Sequence, residues 1–438
     1  MKASLLERAK EVLNNNFQEG GFSIPSKGLY PFQWKWDSGF IAVGLAHYDM
    51  AKAKSEIQTI LDAQWSNGFI PHIVFHNETD TYFPGPDFHQ SELHPHSSKK
   101  YRSTGMTQPP VFGFILKRLY EIANDKKDIL GFIEGCIDKV YDNHLYFYKH
   151  RDVNQDGLVY IYHNWESGTD NSPIWDDIWE TMDPPEYEFE RRDTTHVDPA
   201  QRPSKREYDH YLYLIDIAKK NNYDDEKIAE LSPFLVLDPL FNSILIQSNQ
   251  ALVALFERIG GNEDKIAYLK EKSVLGIRTM NAKLFNKDLG AYVHYDLRGN
   301  KQIEYLCSSS FAPLFAGIPD TQRAETLIQT ILQRFGDDGR YLFASFDPTH
   351  SKFNPRKYWR GPVWINMNWM LCQGCSRYGY TDLAKRIKND SIELIEKFGF
   401  YEYFDSRQSN PDSPSNGYGG NNFSWSAALL IDFLENDL

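Results

Sequence analysis

Apolar residues recur at helical spacing along most of this chain. Amphipathic stretches run at about 3–15, 38–63, 108–123, 130–148, 207–221, 225–232, 249–258, 263–284, 320–334, 363–378, 381–397 and 423–436. Strand-like alternation is scarce, and Gly290-Ala291-Tyr292-Val293-His294-Tyr295 is the best hairpin arm. Short loops join some of the helical stretches. The longer connections, 20–37, 66–107, 149–206 and 345–364, are loaded with Trp, Tyr, His, Asp and Pro. Helices in successive pairs, with long aromatic loops between alternate pairs, predict an all-α fold of helical hairpins closing into a ring. Such a toroid carries its site at one end, walled by those loops. No low-complexity linker divides the chain, so residues 1–438 read as one domain with cap loops at about 66–107 and 149–206. Connections that long in a compact domain are usually functional or disordered. These hold too many aromatics to be disordered.

Composition sharpens this picture. The length of 438 residues suggests about three domains, but a single barrel can take up a long chain. Hydrophobic residues at 41% supply a large core, and aromatics reach 15%, as 10 Trp, 26 Tyr and 28 Phe. Many aromatics stand beside polar residues, which suits a sugar, with its apolar ring face and hydroxyl rim. An aromatic core accounts for the same composition nearly as well. The net charge of −13 argues against a nucleic-acid partner, which calls for a basic patch. No apolar run of about 18 residues occurs, so no membrane span is expected. Residues 1–10 alternate charge with apolar side chains and lack the unbroken core of a signal peptide. Four cysteines, Cys136, Cys307, Cys372 and Cys375, are too few for a disulfide framework. Cys372 and Cys375 form a C-x-x-C without a second pair or nearby His, and read as buried helix residues. A cytoplasmic location is expected, and a homo-oligomer is left open.

Four segments carry candidate chemistry. Trp165-Glu166-Ser167-Gly168-Thr169-Asp170-Asn171-Ser172-Pro173 sets a carboxylate among small turn residues, on the kind of shaped loop that often presents function. Such residues are also ordinary turn formers. Tyr30 to Phe40 ends a loop and opens a helix, with Asp37 well placed as an N-cap and Trp34 and Trp36 hard to explain as core alone. Asn354 to Asn366 combines Trp359, Trp364, a guanidinium and amides, suited either to a polyhydroxylated ligand or to buried packing. In Phe400-Tyr401-Glu402-Tyr403-Phe404-Asp405, an apolar shell would raise the pKa of Glu402, a common preparation for acid–base work. Asp152-Val153-Asn154-Gln155-Asp156-Gly157 imitates a calcium loop, but its twelfth position is His163 rather than Glu, so a hydrogen-bonded turn is expected.

Together QWKWDSGF, RDVNQDGL with WESGTDNSP, YWRGPVWINMNW, and FYEYFD with GYGGNNFSWSAAL resemble glycoside hydrolase family 63 and the related six-hairpin glycosidases. The nearest likeness is to short bacterial enzymes that hydrolyse mannosylglycerate or glucosylglycerate. The resemblance implies an (α/α)6 barrel and inverting hydrolysis of a small α-glucoside or α-mannoside, with Asp170 as acid and Glu402 as base. It also implies sugar-site roles for Tyr30, Trp34, Trp36, Asp37, Tyr82, Gln108, Trp359 and Trp364, and aglycone contacts from Arg202 and Tyr208. Residues 181–201 look enlarged and charged, and 406–422 are Ser/Asn/Pro-rich, so the entrance departs from the family pattern.

An inverting enzyme needs a protonated carboxyl at the glycosidic oxygen and an ionised one holding water opposite, with no metal or organic cofactor. The expected substrate is a 2-O-α-glycosyl-glycerate. A general α-glucosidase acting on neutral disaccharides or glucosylglycerol is the alternative. Two other readings compete: a sugar epimerase of the same toroid using His72, His76, His94 or His96, and a non-enzymatic carbohydrate-binding protein.

Overall fold

The computed structural model describes residues 2–436 apart from 78, 80, 196 and 410–414. Most of the predicted periodic stretches are helices, and they sort into inner and outer partners. The inner elements are the helices Lys35–Ala46, Phe112–Ile122, Pro239–Ile259, Ile365–Arg377 and Ser424–Glu435, with the 3-10 segment Ser308–Leu314. Each packs against the next in chain order, and Ser424–Glu435 packs back on Lys35–Ala46, so the contacts close a ring. Outside it, Lys2–Asn16 backs Ser424–Glu435, Met50–Asp62 backs Lys35–Ala46, and Lys126–His150 backs Phe112–Ile122. Glu263–Thr279 and Thr381–Phe398 back Pro239–Ile259 and Ile365–Arg377 in the same way.

The two layers differ for a simple reason. Every residue of Lys35–Ala46 is buried, whereas Thr381–Phe398 buries one stripe and shows the other face to water. This difference explains where the periodicity misled. The stretch expected at 249–258 begins at Pro239, because residues 239–248 are buried nearly all round and show no stripe. Asp238 caps that helix, its carboxylate accepting the Leu240 and Phe241 amides. Ser308–Leu314, with three serines and Pro313, was not expected as an element at all. The stretch at 38–63 divides at Asp49, whose carboxylate accepts the Lys52 amide at 3.0 Å.

The fold is mostly helical rather than strictly all-α. The arm expected at 290–295 divides at Val293: Ala291–Tyr292 pairs with Phe285–Asn286, and His294–Asp296 pairs antiparallel with Lys301–Ile303 in a four-stranded sheet with Val236–Leu237 and Tyr160–Ile161. Gln33–Trp34, Ile73–Phe75 and Arg102–Ser103 form a second sheet, and Tyr401–Phe404 pairs with Gly417–Asn421. These short strands lie in or beside the long aromatic connections and stiffen them. Cys372 and Cys375 are buried in Ile365–Arg377, as expected. The Asp152 carboxylate accepts the Asp156 and Gly157 amides at 2.9 and 3.1 Å and faces Lys272 at 3.3 Å, the geometry of a hydrogen-bonded turn. No helix among the described residues is long and apolar enough to cross a membrane.

Ring closure depends on close backbone approach. A Cβ on Gly44 would lie 2.3 Å from the Ala428 Cα of the neighbouring inner helix, and one on Gly113 would lie 2.4 Å from the Ser248 carbonyl. Gly131 and Gly135, on the exposed face of Lys126–His150, have no neighbour within 4 Å. Alanine at a free helical position stabilises by about 1 kcal/mol relative to glycine, while overpacking costs about 1–3 kcal/mol. Gly131→Ala is therefore expected to raise the chemical unfolding midpoint and Gly44→Ala to lower it. A stabilised Gly44→Ala would show that the ring does not need the close approach.

Candidate active site

The strand Gln33–Trp34 leads straight into Lys35–Ala46 and sends alternate side chains to opposite sides. Trp34 and Trp36 face a cavity, while Lys35 points into the protein and donates to Thr107 Oγ1 at 2.8 Å and the Gln108 carbonyl at 2.9 Å. Gln108 Oε1 accepts the Trp36 amide at 3.2 Å, which fixes the glutamine at the cavity wall. Asp37 is not the N-cap. Trp34 occupies that position without a side-chain cap, and Asp37 lies in the first turn with its carboxyl at the cavity. Burial holds that carboxyl well above the usual carboxylate range, and the Glu402, Glu56 and Asp170 charges push the same way.

Asp170 is positioned by the loop before it. Glu166, fully buried, accepts two bonds from Arg151 Nη1 at 2.8 and 2.9 Å and the amides of Tyr162 and Thr107 at 2.9 and 3.1 Å. Gly168 turns the chain at φ 75°, where a Cβ would lie 2.5 Å from the Trp36 ring. The Asp170 backbone carbonyl accepts Asn164 Nδ2 at 2.7 Å, and its carboxyl accepts the Tyr358 hydroxyl at 3.2 Å. Burial raises the Asp170 carboxyl to about 7, against the opposing pull of Arg202 and the Tyr358 hydrogen bond.

Glu402 comes from the opposite side of the chain, on the strand Tyr401–Phe404. Its Oε1 accepts the Tyr30 hydroxyl at 2.7 Å, and its Oε2 accepts the Gly420 amide at 3.0 Å and lies 3.9 Å from Arg202 Nη1. Burial raises its pKa, while Arg202, the Gly420 amide and Tyr30 hold it down. The Tyr30 and Tyr358 oxygens are 3.4 Å apart, so two phenols stand between the two carboxyl groups.

The residues singled out from the sequence share one cavity that opens to solvent. It is lined by Tyr30, Trp34, Trp36, Asp37, Tyr82, Gln108, Asp170, Arg202, Tyr208, Trp359, Trp364 and Glu402. Trp359 and Trp364 stack face to face at 3.8 Å, and Trp364 also stacks on Tyr403, so these two rings are both core and wall. Arg202 is buried, with Asp193 on its Nε at 3.1 Å, Tyr30 on its Nη1 at 3.1 Å and the Tyr358 ring 4.2 Å away. The pairing with an acid of the 181–201 loop and the pocket-facing position therefore coexist.

Tyr358, Trp165, Asp193, His72, Phe423 and Trp425 also line the cavity. Tyr358, Trp165 and Trp425 lie inside the motifs quoted above, so contiguity with those motifs was the available signal. Asp193 sits in a run of charges with nothing local to distinguish it. The histidines are not brought together at the cavity, although the His94 and His96 rings lie 5.5 Å apart outside it. His72 lines the cavity, but His76 stacks on Phe22, His94 on Trp65, and His96 bonds Ser66. That arrangement does not supply the histidine pair of an epimerase.

A domain model described as the mannosylglycerate hydrolase MGH1-like glycoside hydrolase domain matches residues 30–426. The chain belongs to this glycoside hydrolase family. Among its relatives, the mannosylglycerate hydrolase of Thermus thermophilus is 40% identical over 97% of this chain and 99% of its own length. The glucosylglycerate hydrolase of Mycolicibacterium hassiacum is 32% identical over 98% of this chain and 97% of its own length. A crystal structure of the GH63 mannosylglycerate hydrolase of Thermus thermophilus with Tris and D-glycerate matches with a TM-score of 0.90 at 40% identity, covering 98% of this chain and 99% of that one.

Within this glycoside hydrolase, Arg151 also meets Asp225 at 3.2 Å, so its removal strands two buried carboxylates. Breaking a buried pair from one side costs about 3–5 kcal/mol. Arg151→Met is expected to lose stability on that scale in guanidinium unfolding, with Glu166→Gln in the same background restoring part of it. A loss under about 1 kcal/mol would mean that the pair does not hold the Asp170 loop.

Proposed function

We propose that this chain is a single (α/α)6 catalytic domain, acting in the cytoplasm, that hydrolyses 2-O-α-mannosyl- or α-glucosyl-glycerate with inversion. The observation that carries this reading is the pairing of Asp170 and Glu402 across one aromatic cavity, with Arg202 beside Glu402. Asp170 has one phenol on its carboxyl and a pKa near 7, which suits the proton donor to the departing glycerate oxygen. Glu402 has a phenol, an amide and a guanidinium around it, all favouring the ionised form, which suits the base. Water attacks the anomeric carbon as the bond to the glycerate oxygen breaks. Asp170 gives its proton to that oxygen, and Glu402 takes the proton from the water. Asp170 and Glu402 share no hydrogen bond, and the phenols between them support a spacing that admits a water.

The sugar ring would stack among Trp34, Trp36 and Trp359, with Asp37 on its hydroxyls and Tyr82 and Trp364 completing the wall. Arg202 suits the glycerate carboxylate, with Tyr30, Gln108 and Tyr208 for the remaining oxygens. D-Glycerate bound in the crystal structure of the 40% identical relative supports an acidic aglycone. A general α-glucosidase would instead prefer neutral disaccharides or glucosylglycerol.

The test is proton NMR of early turnover on mannosylglycerate and glucosylglycerate. The first-formed sugar is expected to be the β-anomer, and folded Asp170→Asn and Glu402→Gln variants are expected to lose turnover at least about a thousandfold. An early α-anomer would make the enzyme retaining, and near-wild-type activity in either variant would remove that residue from the pair.

The pH dependence follows from the same roles. Asp170 acts protonated, so kcat/KM is expected to fall as pH rises through about 7. Glu402 acts ionised, so activity is expected to fall as pH drops through a value above the ordinary glutamate range. The profile should be a bell with its alkaline limb near neutrality. A profile flat to pH 9 would place the acid elsewhere.

A further inference from the structure

Arg202 does not stand alone beside the cavity. Asp193 accepts its Nε–H at 3.1 Å, a contact that by itself would cancel most of the guanidinium charge. Asp193 is shared, however. Arg191 grips both its oxygens, Nε to Oδ1 at 2.8 Å and Nη2 to Oδ2 at 2.7 Å, and the Tyr208 hydroxyl donates to Oδ2 at 3.4 Å. Arg191 is itself fixed. Its Nη1 donates to the Pro203 carbonyl at 2.8 Å, and its guanidinium lies 4.2 Å from the centre of the Tyr208 ring. Two guanidinium groups thus share one carboxylate. The other carboxylate within 4.0 Å of Arg202 among the described residues is Glu402, at 3.9 Å. Asp170, protonated in the proposed mechanism, adds no charge. With Arg191 gone, Asp193 would serve Arg202 alone and the neighbourhood would carry one positive charge fewer. Arg191 is not among the residues that line the cavity.

We propose that Arg191 sets the preference for aglycone charge: by engaging Asp193 it keeps the cluster of Arg191, Arg202, Asp193 and ionised Glu402 neutral rather than net negative, so that Arg202 can take an anionic aglycone. This inference rests on the acidic-aglycone reading above. Arg191 is a positioning residue, acting through Asp193 on Arg202. It also gives the charged 181–201 segment a physical task, since that segment brings both Arg191 and Asp193 to the entrance.

The test compares wild type, Arg191→Met, Arg191→Lys and the double variant Arg191→Met/Asp193→Asn on glucosylglycerate and on neutral glucosylglycerol. Arg191→Met is expected to raise KM for glucosylglycerate about tenfold while KM for glucosylglycerol and both kcat values stay within about twofold. Arg191→Lys should recover part of the loss. The double variant should bring KM for glucosylglycerate back towards wild type, because the surplus carboxylate is gone. A collapsed loop would behave differently, raising KM for both substrates, and removing a second anchor would not repair it. Equal loss on both substrates, an unchanged KM, or no recovery in the double variant overturns the proposal. A wild-type preference for glucosylglycerol overturns the aglycone reading and this inference with it, whereas a wild-type preference for glucosylglycerate with equal losses in Arg191→Met overturns this inference alone.

Discussion

The buried pair between Arg151 and Glu166 is the contact on which the site depends. Glu166 has no exposure to water, and its two oxygens take the guanidinium of Arg151 and the amides of Tyr162 and Thr107. Those partners come from separate parts of the chain: the end of a long outer helix, the strand before the Asp170 loop, and the approach to an inner helix. A single desolvated carboxylate thus ties the Asp170 loop to the segment carrying Gln108, and Lys35 ties that segment to Trp34 and Trp36. Such a contact contributes little net stability against an apolar replacement, but breaking it from one side is costly. Its value lies in fixing where three wall segments meet.

Environment, more than residue type, separates the two acids. Asp170 and Glu402 are both carboxyls behind aromatic walls, and burial raises both. The difference lies in what each accepts. Glu402 accepts a short phenol bond and a backbone amide on a strand edge, whereas Asp170 accepts a longer phenol bond and its own backbone amide, and Arg202 opposes burial at both. A glycine beside each supports this geometry. Gly168 lets the Asp170 loop turn under Trp36, and a Cβ on Gly419 would lie 2.3 Å from Glu402 Oε2.

Outer helices such as Lys126–His150 and Thr381–Phe398 were legible because one face meets water and the apolar stripe shows. The start of Pro239–Ile259 and the Ser308–Leu314 segment were not, because an element buried on all sides has no stripe to read. Site residues were legible where they fell in aromatic motifs, as Trp34, Asp170 and Glu402 did. Local spacing alone reads Asp37 as a cap, which fails, while the cavity position that the family resemblance implied for it is a property of the closed ring. Arg191 and Asp193 lie among like and unlike charges, and only three-dimensional placement separates their pairing from an ordinary surface pair.

Trp34 and Trp36, Trp364, and Phe423 with Trp425 line the cavity from the amino-terminal ends of three inner helices, and Gln108 from the approach to a fourth. Three helix amino-termini, where the backbone dipole is positive, thus border one chamber, in a protein whose overall charge is −13. That field favours the ionised form of an acid near it, whereas burial and the Glu402 charge raise the Asp170 carboxyl. A sugar that displaces solvent from the chamber would add to the burial that already raises the Asp170 carboxyl.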